Sequence, residues 1–153
     1  MLSIFRKKAP EFFSTEEKTL IVDAIKQAEQ QTSGEIRVYI ESRCRFVNAI
    51  DRAAEVFYQL QMQNTKERNA ALVYIATQDR QLAVFGDEGI HAKVGEAFWQ
   101  QEVKIMLSHF KASGFGAGIA QVVLDIGKAL QEHFPFHADT DKNELPDEIV
   151  FGK

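Results

Sequence analysis

Cysteine is all but missing from this chain: Cys44 stands alone among 153 residues, which excludes an internal disulfide and any cysteine-based zinc site and suits a reducing compartment. Long apolar runs are missing too. No stretch approaches the roughly 18 to 20 apolar residues that cross a bilayer. The opening MLSIFRKKAPEFFS has no apolar segment after its basic cluster and no small-x-small cleavage site, so it does not read as a secretory signal, and a cytoplasmic location is expected. Positive charge is in deficit, with 18 Lys and Arg against 22 Asp and Glu for a formal net charge of −4. The basic residues that gather, Arg6-Lys7-Lys8 and Arg37, Arg43 and Arg45, are terminal or interrupted by carboxylates, which argues against nucleic acid as a partner. GxGxxG, a Walker loop, HExxH, GxSxG and an EF-hand loop are all absent, and with them any local support for the common nucleotide, zincin, hydrolase and calcium-helix readings. There is no internal repeat and no low-complexity segment.

What is present suits one domain with a full core. The chain divides into an N-terminal arm (1–13), a folded domain (14–136) and a polar C-terminal tail (137–153). Its centre is the stretch Asn69 to Gly89, where the apolar run Ala70 to Ala76 meets the polar turn Thr77-Gln78-Asp79-Arg80 and a second run, Leu82 to Phe85. That pattern predicts a β-hairpin, with its first strand buried on both faces.

Upstream, Ser14-Thr15-Glu16-Glu17 has the spacing of a capping box, and Leu20, Ile21, Ala24, Ile25 and Ala28 recur at helical intervals. Thr32-Ser33-Gly34 closes that helix. Glu35 to Glu41 then alternates around Ile36, Val38 and Ile40, which predicts a strand with one buried and one charged face. A second helix is expected from an Asn48 cap to Met62, its inner stripe made of Ile50, Ala53, Ala54, Val56, Phe57 and Leu60. Strand, helix, strand implies a parallel pair, to which the hairpin adds an antiparallel third strand. After Gly89 the pattern is helical through Ile90, Val94, Phe98, Trp99, Val103, Ile105, Met106, Leu107 and Phe110 to a break at Ser113-Gly114. A last helix runs from Phe115 to Phe134, with Gly116, Gly118 and Gly127 allowing close contacts, and Pro135 stops it.

This topology brings the start of the first strand, the start of the second and the end of the third to one end of the sheet. Glu35, Asn69, Asp87 and Glu88 should be neighbours there, with adjacent strands about 4.8 Å apart. Carboxylates gathered in this way repel, and their charged forms are most readily kept together by a hard cation with oxygen ligands, calcium or magnesium. The structural alternative is that Asp87 or Glu88 caps the helix near Ile90 and that Glu35 pairs with Arg37, Arg68 or a lysine. At the opposite end, Glu41 and the turn pair Asp79-Arg80 form a second candidate site, for which backbone hydrogen bonding by the turn aspartate is the structural alternative. His91, His109, His133 and His137 share no ligand spacing, and Phe98 and Trp99 read as core.

The segments SGEIRVYIE, DRAAEVFYQL, TKERNAALVYIATQDRQLAVFGDEGI and EAFWQQEV resemble the TPM-domain family in its short bacterial form, and the ELPDEIVFGK tail is similar to that form as well. The resemblance implies an α/β fold, a three-layer α/β/α sandwich whose small central mixed sheet carries helices on both faces, Rossmann-like without a dinucleotide fingerprint. It also implies two functional leads: binding of a divalent metal, calcium in particular, and the acid phosphatase activity described for a plant thylakoid member. Matched residue by residue, GEI places Glu35, and GDEGI places Asp87 and Glu88. Longer members usually carry Gly-x-Gly-leucine-glutamate where this chain has Gly-Asp-Glu-Gly. The favoured expectation is a non-catalytic domain that binds calcium or magnesium through Glu35, Asp87 and Glu88 and has a regulatory or protein-partner role. Metal-assisted hydrolysis of a phosphomonoester and a ligand-free interaction module are the alternatives.

Overall fold

A computed structural model describes residues 12–111, 114–136 and 148–152, the side chains of 110 and 111 aside. The arm up to residue 11, the tail from 137 to 147, Ser113 and the Phe110 side chain lie outside the described residues. Among the described residues, four strands make one mixed sheet in the order β3-β2-β1-β4: β1 (Glu35–Glu41), β2 (Ala70–Ala76), β3 (Gln81–Gly86) and β4 (Val150–Phe151). β1 and β2 are parallel, from Glu35 opposite Ala70 to Glu41 opposite Ala76. β3 turns back antiparallel, with Gln81 opposite Ala76 and Gly86 opposite Ala71.

The sheet separates two cores. On one face Ile36, Val38 and Ile40 of β1, Ala71, Val73 and Ile75 of β2, and Leu82 and Val84 of β3 meet α1 (Thr15–Glu29), α3 (Glu88–Val94), α4 (Glu96–Lys111) and α5 (Phe115–His133). On the other, Leu72, Tyr74 and Ala83 meet Ala53, Val56 and Phe57 of α2 (Ala49–Gln59). This is the three-layer arrangement that α/β domains adopt because a sheet must bury both of its apolar faces. β2 is buried at every position, as its unbroken apolar run requires. No helix among the described residues is long and apolar enough to cross a membrane.

α1 begins at a complete capping box: the Glu17 amide donates to Ser14 Oγ and the Ser14 amide to Glu17 Oε1, both at 3.1 Å. The second Glu17 oxygen accepts from the Gly116 amide at 3.0 Å, so one side chain starts α1 and fastens α5 to it. The helices touch again at Gly127, where an added Cβ would collide with Ala28.

Three expectations need correction. Leu20 and Ile50 lie outside the inner stripes, each 45% exposed, because Ile21, Ala24, Ile25 and Ala28 in α1 and Ala49, Ala53, Val56 and Phe57 in α2 already fill the buried sides. The polar face of β1 is not solvated: Glu35, Arg37 and Glu41 are all buried, and burial lowers the pKa of Arg37 while Glu148 and Glu29 oppose that shift. The helix expected after Gly89 is two helices, parted by Gly95 at φ 79°, a left-handed conformation that glycine adopts without a side-chain clash. The end of the tail is extended: Val150 and Phe151 add to the edge of β1 and the Gly152 amide donates to the Ile40 carbonyl at 2.8 Å.

Candidate functional site

Two ends of the sheet carry concentrated polar chemistry. At the first, the register brings the start of β1 and the end of β3 together with only β2 between them. Asp87 follows β3 directly; its amide donates to the Ala70 carbonyl at 2.9 Å and its side chain, 2% exposed, caps α3 by accepting from the Glu88 amide at 2.8 Å. Both carboxylate oxygens also hold Arg68, with Nε on Oδ2 at 2.6 Å and Nη2 on Oδ1 at 2.7 Å. Glu88 joins the same guanidinium from the solvent side, Oε1 to Nη1 at 3.3 Å. The hydrogen bonds to Asp87 are the main reason the Arg68 pKa is raised.

The backbone here is shaped for this contact. Arg68 lies at φ 52°, and its carbonyl accepts the Gly89 amide at 2.8 Å. A Cβ at Gly89 would run into the carbonyls of Glu67 and Arg68, which is why glycine stands at position 89. Glu35, 2% exposed, stands at the same end one strand across, its amide donating to the Asn69 carbonyl at 3.4 Å. Asn69 Nδ2 donates to Ser33 Oγ at 3.1 Å, and Ser33 donates on to Glu67 Oε2 at 2.6 Å. Among the described residues no group of three or more His, Cys, Asp or Glu side chains is clustered to hold a metal ion. What the structure brings together is Asp87, Glu88 and Arg68, so helix capping and arginine pairing are both present, with Arg68 serving Asp87 and Glu88.

The second site lies at the carboxyl ends of β1 and β2. Glu41, 5% exposed, is held by Arg52 through two hydrogen bonds of 2.9 Å and accepts a third from the Tyr74 hydroxyl. Arg52 also pairs with Glu55. The Glu41 hydrogen bonds raise the Arg52 pKa, while burial, followed by the bond to Glu41, raises that of the Tyr74 phenol. Asp79 fixes the loop opposite by accepting from the Cys44 amide at 2.7 Å and pairing with Arg43 at 3.5 Å. The turn aspartate therefore has a backbone-binding role, directed at a neighbouring loop. A cleft of about 650 Å³ opens above these residues. His91 is a structural acceptor, its Nδ1 taking the Trp99 indole N–H at 3.0 Å.

A family model described as the TPM domain matches residues 7–129, which includes both ends of the sheet. The chain belongs to the TPM-domain family. Among solved structures, this TPM domain is similar to the NMR structure of BA42 protein from the psychrophilic bacterium Bizionia argentinensis, at 40% identity with a TM-score of 0.83. The likeness covers 93% of this chain and 97% of that one, so the two align almost end to end. No curated protein matches the chain.

Proposed function

We propose that this TPM domain is a non-catalytic binding domain that takes up a divalent cation, calcium or magnesium, where Asp87 and Glu88 leave β3 and Glu35 enters β1. The observation that carries this reading is the convergence of Asp87 and Glu88 on a single guanidinium. Two carboxylates already hold one positive charge between them, and the carbonyls of Glu67 and Arg68 crowd against Gly89 beside them. Hard cations favour such oxygen donors, with water filling the remaining positions. Buried Glu35 adds a further carboxyl one strand away.

In this reading Arg68 is the competitor. A divalent ion displaces its guanidinium, whose side chain is already 36% exposed. The exchange makes the state of the site readable from outside, because the bound ion turns an inward arginine into a surface cation available to a protein partner.

Calorimetry with calcium and magnesium on the wild type, Asp87→Asn and Arg68→Gln tests the idea. Asp87→Asn should abolish binding, and Arg68→Gln should tighten it by about tenfold through removal of the competing charge. Equal affinity in all three proteins would contradict it. Cation-dependent turnover of a generic phosphomonoester that disappears in Asp87→Asn would instead make the domain a metal-assisted phosphatase.

A further inference from the structure

We infer that the cleft at the carboxyl ends of β1 and β2 binds a small molecule composed of a flat ring and an oxyanion, the oxyanion on Arg43 and Arg45 and the ring against Phe46. The inference is independent of the cation reading, since the two sites lie at opposite ends of the sheet.

Position comes first. In open α/β sheets, ligands settle in the crevice outside the carboxyl ends of parallel strands, and β1 and β2 are this sheet's longest parallel pair. The volume of about 650 Å³ suits a small organic ligand.

The cleft then separates into a fixed base and a free rim. At the base, Glu41, Arg52 and Tyr74 satisfy one another, and Arg52 is neutralised by Glu41 and Glu55. Two guanidiniums remain on the rim. Arg43 leans on Asp79 at 3.5 Å with 64% of its side chain exposed, and exposed Arg45 has no ion pair among the described residues. Both line the cleft on one loop, with the 37% exposed ring of Phe46 next to them.

The start of that loop is held by three hydrogen bonds to the 77–79 turn. The Cys44 amide donates to Asp79, the Gln78 amide to the Ser42 carbonyl at 2.7 Å and the Thr77 amide to the Glu41 carbonyl at 2.9 Å. Guanidinium forks on a pinned backbone suit the planar or trigonal oxygens of a carboxylate or phosphate. An exposed phenyl ring beside them favours a ligand with a flat face, because ring contact adds affinity that a bare anion lacks.

The test is an NMR titration of the full chain with four probes: adenosine monophosphate, indole-3-acetate, inorganic phosphate and adenosine. Binding by either or both of the first two, at least about tenfold tighter than by phosphate or adenosine and with shifts at residues 42–46, 52 and 78, supports the inference and tells phosphate from carboxylate. Arg45→Gln and Phe46→Ala, both at exposed positions, should each weaken that binding by about fivefold. Arg68→Gln should leave it unchanged. Equal affinity for all four probes, shifts outside the cleft, or indifference to both rim variants would overturn it.

Discussion

Asp87 closes both carboxylate oxygens on the guanidinium of Arg68, at 2.6 and 2.7 Å, from a position only 2% exposed. The same carboxylate starts α3 through the Glu88 amide. One side chain thus fastens the entry to β2, the exit from β3 and the first turn of a helix.

Removing one partner of this contact should cost more than removing an ordinary surface pair, because the buried carboxylate loses its counter-charge. Arg68→Ala is expected to lower the melting temperature by about 5 °C. Asp87→Asn retains a cap acceptor and should lower it less. Thermal melts of the two variants at low salt check the order, and a larger loss for Asp87→Asn would contradict it.

Glycine substitutions should separate steric from conformational strain. At Gly127 a Cβ meets both the Cβ and the backbone of Ala28, so Gly127→Ala should cost about 1–3 kcal/mol. At Gly95 nothing lies within 4 Å, yet φ is +79°, so Gly95→Ala should cost about 1 kcal/mol through backbone strain alone. Urea unfolding of the pair measures both, and only Gly127→Ala should recover in part when Ala28→Gly removes the Cβ it meets.

Glu102 on α4, 3% exposed, shares a hydrogen bond with Asp125 of α5, and burial first and Asp125 second push its pKa up to about 8. The folded state therefore holds this proton more tightly than the unfolded chain, whose carboxyl titrates near 4.5. Its stabilising effect is fully present below that lower value and is lost as pH rises to about 8. Glu102→Gln should flatten the decline over this window and leave the variant more stable than the wild type at alkaline pH. A wild-type curve that is flat between the two values would disprove the assignment.

Tyr74→Phe deletes one of three hydrogen bonds on buried Glu41 without changing the packing of the ring, and a cost of about 1–2 kcal/mol is expected. Denaturant melts read it directly. No loss would mean that Arg52 alone satisfies Glu41.

The sheet was legible because its signals are local. An unbroken apolar run marked β2, alternation marked β1, the four-residue turn marked the hairpin, and the capping box at Ser14 fixed the start of α1. From these, chain order alone placed Glu35 and Asp87 at one end of the sheet. Arg68 was less legible. It acts from a left-handed backbone position that no composition rule marks, and its reach to Asp87 depends on how the 67–69 segment packs against Gly89. Burial of the charged face of β1 was hidden for a similar reason, since Arg52 and Tyr74 reach Glu41 from other elements. β4 is two residues long and gives no periodicity to read.

The most direct measurement of cation exchange is the Nε–H resonance of Arg68 followed by NMR during a calcium titration. Its hydrogen bond to Asp87 should break as the ion binds, moving the signal towards the position of a free arginine while the amides of residues 67–69 and 87–89 shift in step. An Arg68 signal that stays fixed up to about 10 mM calcium would contradict cation binding at this end of the sheet.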